Sequence, residues 1–340
     1  MTNRATLQDR FVAASGWADA RRTTVAGDAS NRRYDRLTHA DGTSVILMDA
    51  PPDKGEDVRP FIRIAEHLSA CGLSAPGIIA RDTAQGFLLI EDLGDDLYKT
   101  VIARDPAMER SLYEAAVDVL THLHAVPAPS LPTYDSAVMT DLAALTYAWY
   151  VPGAGAGDPH AAEEFRSLFS RAMAVCDAEP AVLVQRDYHA ENLLWLPERD
   201  GPARVGLLDF QDAMAGHPAY DLVSILQDAR RDVLAEIEAA MIDRFVAQSG
   251  ADRDTFNAAY ALLGAQRNLR ILGVFARLCI RDGKAHYVDL IPRVWGHVQT
   301  NLAHPALHEV AQLVTRTVPA PTPEILERLK SKCATAPSPS

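Results

Sequence analysis

Leu183-Val-Gln-Arg-Asp187-Tyr-His-Ala-Glu-Asn192-Leu-Leu194 is an apolar strand that opens into a polar loop and closes into a second apolar pair. A second run reads Leu207-Leu-Asp209-Phe-Gln-Asp212, its Asp209 seventeen residues beyond Asn192. Two carboxylates and a carboxamide therefore leave short strands in a set order. Magnesium takes hard oxygen ligands in octahedral array, a few from protein and the rest from phosphates and water. Asp209 and Asn192 offer such oxygens. Asp187, outside that ligand set, can accept the proton of an attacking hydroxyl. A single Asp in such a place usually caps a helix or meets solvent. The ordered set of three points instead to chemistry on a magnesium nucleotide, with Asp187 catalytic and Asn192 and Asp209 on the metal.

Asp187-x-x-x-x-Asn192 followed by Asp209-Phe210 resembles the catalytic loop and metal-binding aspartate of the protein-kinase-like proteins. Two departures, Gln185 in place of His and Gln211 in place of the DFG glycine, resemble the aminoglycoside/choline phosphotransferase branch. So does Asp212-Ala-Met-Ala-Gly216-His-Pro218-Ala-Tyr-Asp221-Leu222, which follows that branch's D-x-x-x-G-x-P-x-x-D-L pattern. The resemblance implies an α+β, two-lobed protein-kinase-like fold, with a small sheet-rich N-lobe and a larger helical C-lobe. Asp221 opens an apolar helix, so by itself it reads as an N-cap. In the family the matching aspartate supports the catalytic loop, and that structural role is expected here.

N-terminal to this region the chain reads as strands with one helix. Residues 43–48 are a β-rich apolar run, entered by Ala40-Asp-Gly42 and stopped by Pro51-Pro52. Residues 32–38 alternate as its hairpin partner. Residues 57–71 carry Phe61, Ile64, Ala65 and Leu68 at helical spacing. Ile78–Ala80 and Phe87–Ile90 are two further strands. Asp28, Ala29, Ser30, Asn31, Arg32 and Arg33 form a candidate phosphate-covering hairpin, in which Ser30 and backbone amides donate and an arginine neutralises charge. With one glycine it is a poor phosphate loop taken alone. Met48 stands where the fold family carries a phosphate-binding lysine, with Glu66 as the helix carboxylate that such a lysine would meet. Arg33, Lys54 and Arg63 are the candidate replacement cations. Backbone groups of Glu91 and Leu93, in the interlobe linker, would hold an adenine ring.

From about residue 105 the pattern turns helical, with helices expected at 108–124, 160–177, 218–248 in pieces, 254–282 and 288–301. Short strands at 181–184 and 204–208 flank the polar loop. His189, Glu191, Gln211 and Asp212 sit beside the catalytic residues and are candidates for the acceptor. Tyr147 and Trp149, in an aromatic cluster, could stack on a sugar face, and core packing is an equal reading. Gln266-Arg-Asn-Leu-Arg-Ile-Leu-Gly-Val-Phe-Ala-Arg277 sets arginines inside an apolar helix. That suggests a bound anion or a buried carboxylate, with Arg267 as a substrate contact. A polycationic aminoglycoside would want acidic walls, whereas a sugar acid would want a cation. Residues 20–300 together resemble the bacterial anomeric N-acetylmuramate/N-acetylglucosamine kinases of cell-wall recycling. Met48 fits that subgroup. The resemblance implies transfer of the ATP γ-phosphate to the C1 hydroxyl of an amino sugar, with ATP and Mg2+ as cofactors.

Composition bounds the rest. The 340 residues are 48% hydrophobic and 23% charged, enough for an ordinary core. The formal net charge of −12 argues against a nucleic-acid partner. No apolar run is long enough to span a membrane and the start is not signal-like, so a cytoplasmic protein with no membrane partner is expected; a monomer is one option, since the sequence does not reveal the oligomeric state. Four scattered cysteines without a CxxC pair argue against a disulfide scaffold or a cysteine zinc site. The expected division is an N-terminal nucleotide lobe over 1–92, a catalytic and substrate lobe over 93–332, and a flexible tail over 333–340. Three other readings stand: the same chemistry on an aminoglycoside, choline or homoserine-like acceptor; a nucleotide-binding pseudokinase, motivated by Met48; and a scaffold that binds no nucleotide.

Overall fold

The computed structural model describes residues 3–25 and 31–336. The chain opens with α1 (Arg4–Ala14), β1 (Arg21–Thr24), β2 (Arg33–Thr38), β3 (Ser44–Asp49), α2 (Arg59–Ala70), β4 (Ile78–Asp82) and β5 (Phe87–Glu91). Next come α3 (Tyr98–Arg104), α4 (Glu109–His124), α5 (Ser136–Ala143), a π-turn over Thr146–Tyr150, α6 (Val151–Gly153) and α7 (Ala161–Met173). Four short strands follow: β6 (Val182–Val184), β7 (Leu193–Trp195), β8 (Val205–Leu207) and β9 (Met214–Gly216). The chain ends with α8 (Ala219–Leu226), α9 (Ala235–Ser249), α10 (Arg253–Ile280), α11 (Ile291–Leu302), α12 (His308–Thr317) and α13 (Pro323–Ser331).

Contacts divide the chain into two compact units. One holds the residues up to Val126 together with Ala190–Ala213, and the other holds Pro127–His189 together with the chain from Met214 onward. The boundary expected at residue 92 thus falls after Val126. The reason is local packing: α3 lies on β7, while α4 lies on β8 and the turn Gly201–Arg204 that precedes it.

The first unit is built on a five-stranded antiparallel sheet of order β1-β2-β3-β5-β4. Alternation along β3 sends Val45 and Leu47 to one face, where they pack with Leu37, Leu89 and Val12 of α1. The helix α2 starts on Pro60 and buries Phe61, Ile62, Ile64, Ala65 and Leu68 along one side. The β4–β5 turn needs Gly86. Its φ is +73°, and a Cβ there would meet the Ala50 carbonyl oxygen at 1.9 Å, the residue whose amide donates to Gly86 O.

In the second unit β6 and β9 pair antiparallel, Val182 with Gly216 and Val184 with Met214. The 28-residue helix α10 is its axis, buried on most sides and packed by α5, α8, α11 and the π-turn. Asp252 caps it, accepting from the Thr255 amide at 3.0 Å. Gly273 lets the chain at Leu145 approach, where a Cβ would lie 2.3 Å from the Leu145 carbonyl carbon. The helical stretch expected over 218–248 is broken at Gln227–Leu234, which separates α8 from α9. Among the described residues no helix is long and apolar enough to cross a membrane.

Candidate active site

In the first unit the site begins with a strand register. β7 and β8 pair Leu193 with Leu207 and Trp195 with Val205. One step further along, the Leu208 amide donates to Asn192 O at 3.0 Å. Residues seventeen apart in sequence are thereby brought side by side. Asp209, at φ +57°, turns the chain out of the ladder. The Asn192 carboxamide donates to Asp209 Oδ2 at 3.4 Å, and Gln211 Nε2 donates to Asp209 Oδ1 at 2.6 Å. All three side chains line a cavity of about 380 Å³, within the size range of small-ligand sites.

The cavity has apolar walls from Ile46, Ile90, Leu97, Leu194 and Leu208. Glu91 and Leu93 lie on its rim, as expected for a linker that meets a base. The Glu91 amide itself donates to Gly77 O at 2.8 Å. Two cations face the same space that the sequence did not single out. Arg36 is clamped by Asp92 at 2.6 Å and Asp95 at 2.8 Å, and Ser44 also donates to Asp92 at 2.7 Å. Burial pushes the Asp92 carboxyl up, but Arg36 and Ser44 outweigh it and hold it below its ordinary range. Lys99 pairs with Glu191 at 2.9 Å, so Glu191 joins the cavity through an ion pair. Neither cation has a local signal, because each partner lies more than fifty residues away in sequence.

The other nucleotide candidates are placed as follows. Asp28, Ala29 and Ser30 lie outside the described residues. Arg32 pairs with Glu56 at 2.9 Å, and the Asn31 amide donates to the same carboxylate at 3.1 Å. Arg33 is exposed at the start of β2. Met48 is 0% exposed and sits between Tyr34 and Leu88 in the sheet; it is not on the cavity wall. Glu66 is exposed and meets Arg81 at 3.1 Å, so the carboxylate expected to face Met48 is engaged on the surface.

In the second unit Asp187 follows β6. The loop that carries it is held by Asp221, which does not cap α8: the helix begins at Ala219 and Asp221 lies in its first turn. Its carboxylate, 0% exposed, accepts the Gln185 amide at 2.6 Å and the Arg186 amide at 2.9 Å. Arg186 takes φ +73°, and Ser224 Oγ donates to its carbonyl at 3.2 Å. The Arg186 guanidinium lies 5.4 Å over the Tyr134 ring. Two more arginines enter from one face of α10. Arg267, 4% exposed, donates to Ser224 Oγ at 2.6 Å, and Arg270 donates to the Tyr220 hydroxyl at 3.3 Å. Burial pushes the Asp187 carboxyl up, but the charges of Arg270 and Arg267 outweigh it and hold it below the usual carboxylate range. Asp187 is therefore ionised at neutral pH.

His189 is buried, with Arg230 Nη1 3.4 Å from its Nε2. Asp212 is exposed in the first unit. Tyr147 belongs to packing against Phe165, 5.0 Å between centroids, and its hydroxyl is 2.9 Å from Thr317 Oγ1. Trp149 is half-buried in the same π-turn.

The donor set beside the cavity suits a hard divalent cation. Among the described residues no three or more His, Cys, Asp or Glu gather as a ligand cluster. Asp209 supplies carboxylate oxygens, and Asn192 and Gln211 can present carboxamide oxygens on rotation of their amide groups. One carboxylate with neutral oxygens is what magnesium shared with phosphates requires.

A fold with an antiparallel sheet unit, a helical unit and this Asp-x-x-x-x-Asn…Asp arrangement defines a phosphotransferase. Residues 21–259 match the model of the phosphotransferase enzyme family, and the chain belongs to that family. It is similar to an N-acetylmuramate/N-acetylglucosamine kinase of Caulobacter vibrioides, 41% identical, covering 94% of this chain and 98% of that one. A Pseudomonas aeruginosa protein of the same name is 34% identical, covering 91% of this chain and 92% of its own. Among solved structures, the GDP complex of aminoglycoside 2'-phosphotransferase-IIIa shares the fold, with a TM-score of 0.61 at 16% identity, covering 89% of this chain and 99% of that one.

Proposed function

We propose that this enzyme transfers the γ-phosphate of ATP to the anomeric C1 hydroxyl of N-acetylmuramate or N-acetylglucosamine. The match to the Caulobacter kinase over 94% of this chain carries the sugar assignment. In the reaction the C1 oxygen bonds to the γ-phosphorus, the bond from that phosphorus to ADP breaks, and the hydroxyl proton passes to an Asp187 carboxylate oxygen. Asp187 is suited to this because Arg270 and Arg267 keep it ionised. Magnesium, when bound by Asp209 and Asn192, would neutralise phosphate charge. The cavity with Glu91 and Leu93 on its rim would take the adenine, which assigns the nucleotide to the first unit. The aminoglycoside reading is less favoured, since Arg186, Arg267 and Arg270 make the surroundings of Asp187 positive.

The test is Asp187→Asn. We expect turnover of N-acetylmuramate to fall by roughly 10²–10⁴-fold, the usual contribution of a positioned base, while ATP still raises the melting temperature. Phosphorus NMR of the wild-type product should show an anomeric phosphate. Near-wild-type kinetics in Asp187→Asn, or a C6 phosphate, would refute the assignment.

A further inference from the structure

We propose that Arg199 is a positioning residue for the nucleotide: it fastens the linker that meets the base to the hairpin that carries the metal ligands, and so holds that linker ready for the purine. The inference rests on the reading above that places adenine at Glu91 and Leu93. Arg199 itself is not on the cavity wall, so it acts through Glu91, which is.

The β7–β8 hairpin serves both ends of the site. Asn192 precedes β7 and Asp209 follows β8, while Arg199 stands in the turn between Trp195 and Val205. The turn is closed by its own bonds. The Leu196 amide donates to Arg204 O at 2.8 Å, the Arg199 amide to Leu196 O at 3.1 Å, and Arg204 Nε to Arg199 O at 2.7 Å. From this support the Arg199 guanidinium reaches two partners. Its Nη2 meets Glu91 Oε1 at 2.5 Å, and its Nη1 donates to Ser74 Oγ at 2.6 Å. A planar fork engaged through both of these nitrogens fixes direction as well as charge, which a flexible ammonium does not.

Each partner is fastened in turn. The second carboxylate oxygen of Glu91, Oε2, accepts the Gly77 amide at 3.2 Å, while the Glu91 amide donates to Gly77 O at 2.8 Å. Pro76, next to Gly77, lines the cavity as Glu91 does. Ser74 Oγ donates to Ala203 O at 2.6 Å, and Ser74 O accepts the amide of Leu207, two residues before Asp209, at 2.9 Å. Linker, Pro76 segment and hairpin thus share one network with the Arg199–Glu91 pair in it. The next linker residue, Asp92, is held from β2 by Arg36 at 2.6 Å, so successive linker side chains end on arginines from different elements. The Arg199 and Glu91 side chains are 34% and 39% exposed, so their pair adds little to stability. Its consequence is preorganisation: a linker already held in place gives up less freedom when the base arrives.

The experiment measures, on the full chain with magnesium, the calorimetric Kd of ATP and of ADP, the kinetics with N-acetylmuramate, and the melting temperature. In Arg199→Met both nucleotides should bind roughly 3–10-fold more weakly, the coupling of residues in one hydrogen-bonded network. The factor should be the same for ATP and ADP, because the base is common to them. KM for ATP should rise alike, with kcat at saturation, KM for the sugar and the melting temperature little changed. Arg199→Lys should recover part of the affinity. Glu91→Gln should weaken ATP as Arg199→Met does, and the double variant should be no weaker than the worse single one. Unchanged nucleotide affinity in Arg199→Met, additive losses in the double variant, or a loss larger for ATP than for ADP would overturn the proposal. So would a fall in kcat and melting temperature together, which would make Arg199 part of the scaffold. A wild type that bound neither ATP nor ADP would instead bring down the nucleotide reading itself, a result distinct from these.

Discussion

Arg186 holds a left-handed backbone that costs a non-glycine residue roughly 1–2 kcal/mol, and Asp221 braces it by accepting the backbone amides of Gln185 and Arg186. Burial pushes the Asp221 carboxyl up to about 7, so in the folded state it keeps its proton where the unfolded chain has lost it. Between its ordinary value and about 7, that makes stability fall as pH rises. His217 acts in the opposite sense. It is buried, its Nδ1 accepts from the Ala219 amide at 3.1 Å, and burial pushes its pKa down to about 4. Between pH 6.5 and 4 the unfolded chain gains a proton on His217 that the folded one refuses, so stability falls as pH falls. The two dependences offset each other in wild type. The stability of wild type relative to His217→Gln should therefore drop by about 3 kcal/mol from pH 6.5 to 4, read from denaturant melts at each pH. A difference that stays flat with pH would refute the buried neutral imidazole. At this scale Asp187, Asn192 and Asp209 stand out as candidates in sequence because they lie in short, ordered motifs. Arg36 and Lys99 do not, since what gives them meaning is a partner far along the chain.

Elements were legible where period and punctuation agree. The helical spacing of α2, the long helix expected over 254–282 and the apolar run that became β3 all follow from adjacent residues. A break within 218–248 was expected, and the structure places it at Gln227–Leu234, a position that the hydrophobic pattern did not fix. At the end of α8, buried Gln227 accepts from Asn268 and Asn301. Two glycines separate close approach from open helix. Gly273→Ala must push Leu145 aside and should lower stability by more than about 2 kcal/mol. Gly296→Ala, in α11 with open space around it, should raise stability by about 0.5–1 kcal/mol. Thermal melts of both variants check the pair, and equal effects would contradict the packing.

For the whole molecule, magnesium and nucleotide should act as ligands of a folded enzyme and not as parts of its scaffold. A candidate metal site with one carboxylate cannot organise a core. ATP with magnesium at about 100 Kd should stabilise the protein by about 2.7 kcal/mol in a thermal shift. Chelation should abolish turnover and most of that shift, without lowering the melting temperature of the nucleotide-free protein. A fall in that temperature on chelation would instead mark a structural metal. The order of motifs was enough to identify a phosphotransferase with sheet-rich and helical parts, because short-range residue types at set spacings encode strands, helices and a ligand set. The tertiary structure alone decided that α3 and α4 belong with the sheet and which loop amides Asp221 accepts, its supporting role having been implied by the family resemblance. It also decided which arginines attend Asp187. Those outcomes depend on which distant groups share buried space, where desolvation and pairing set the energies, and no local pattern carries that information.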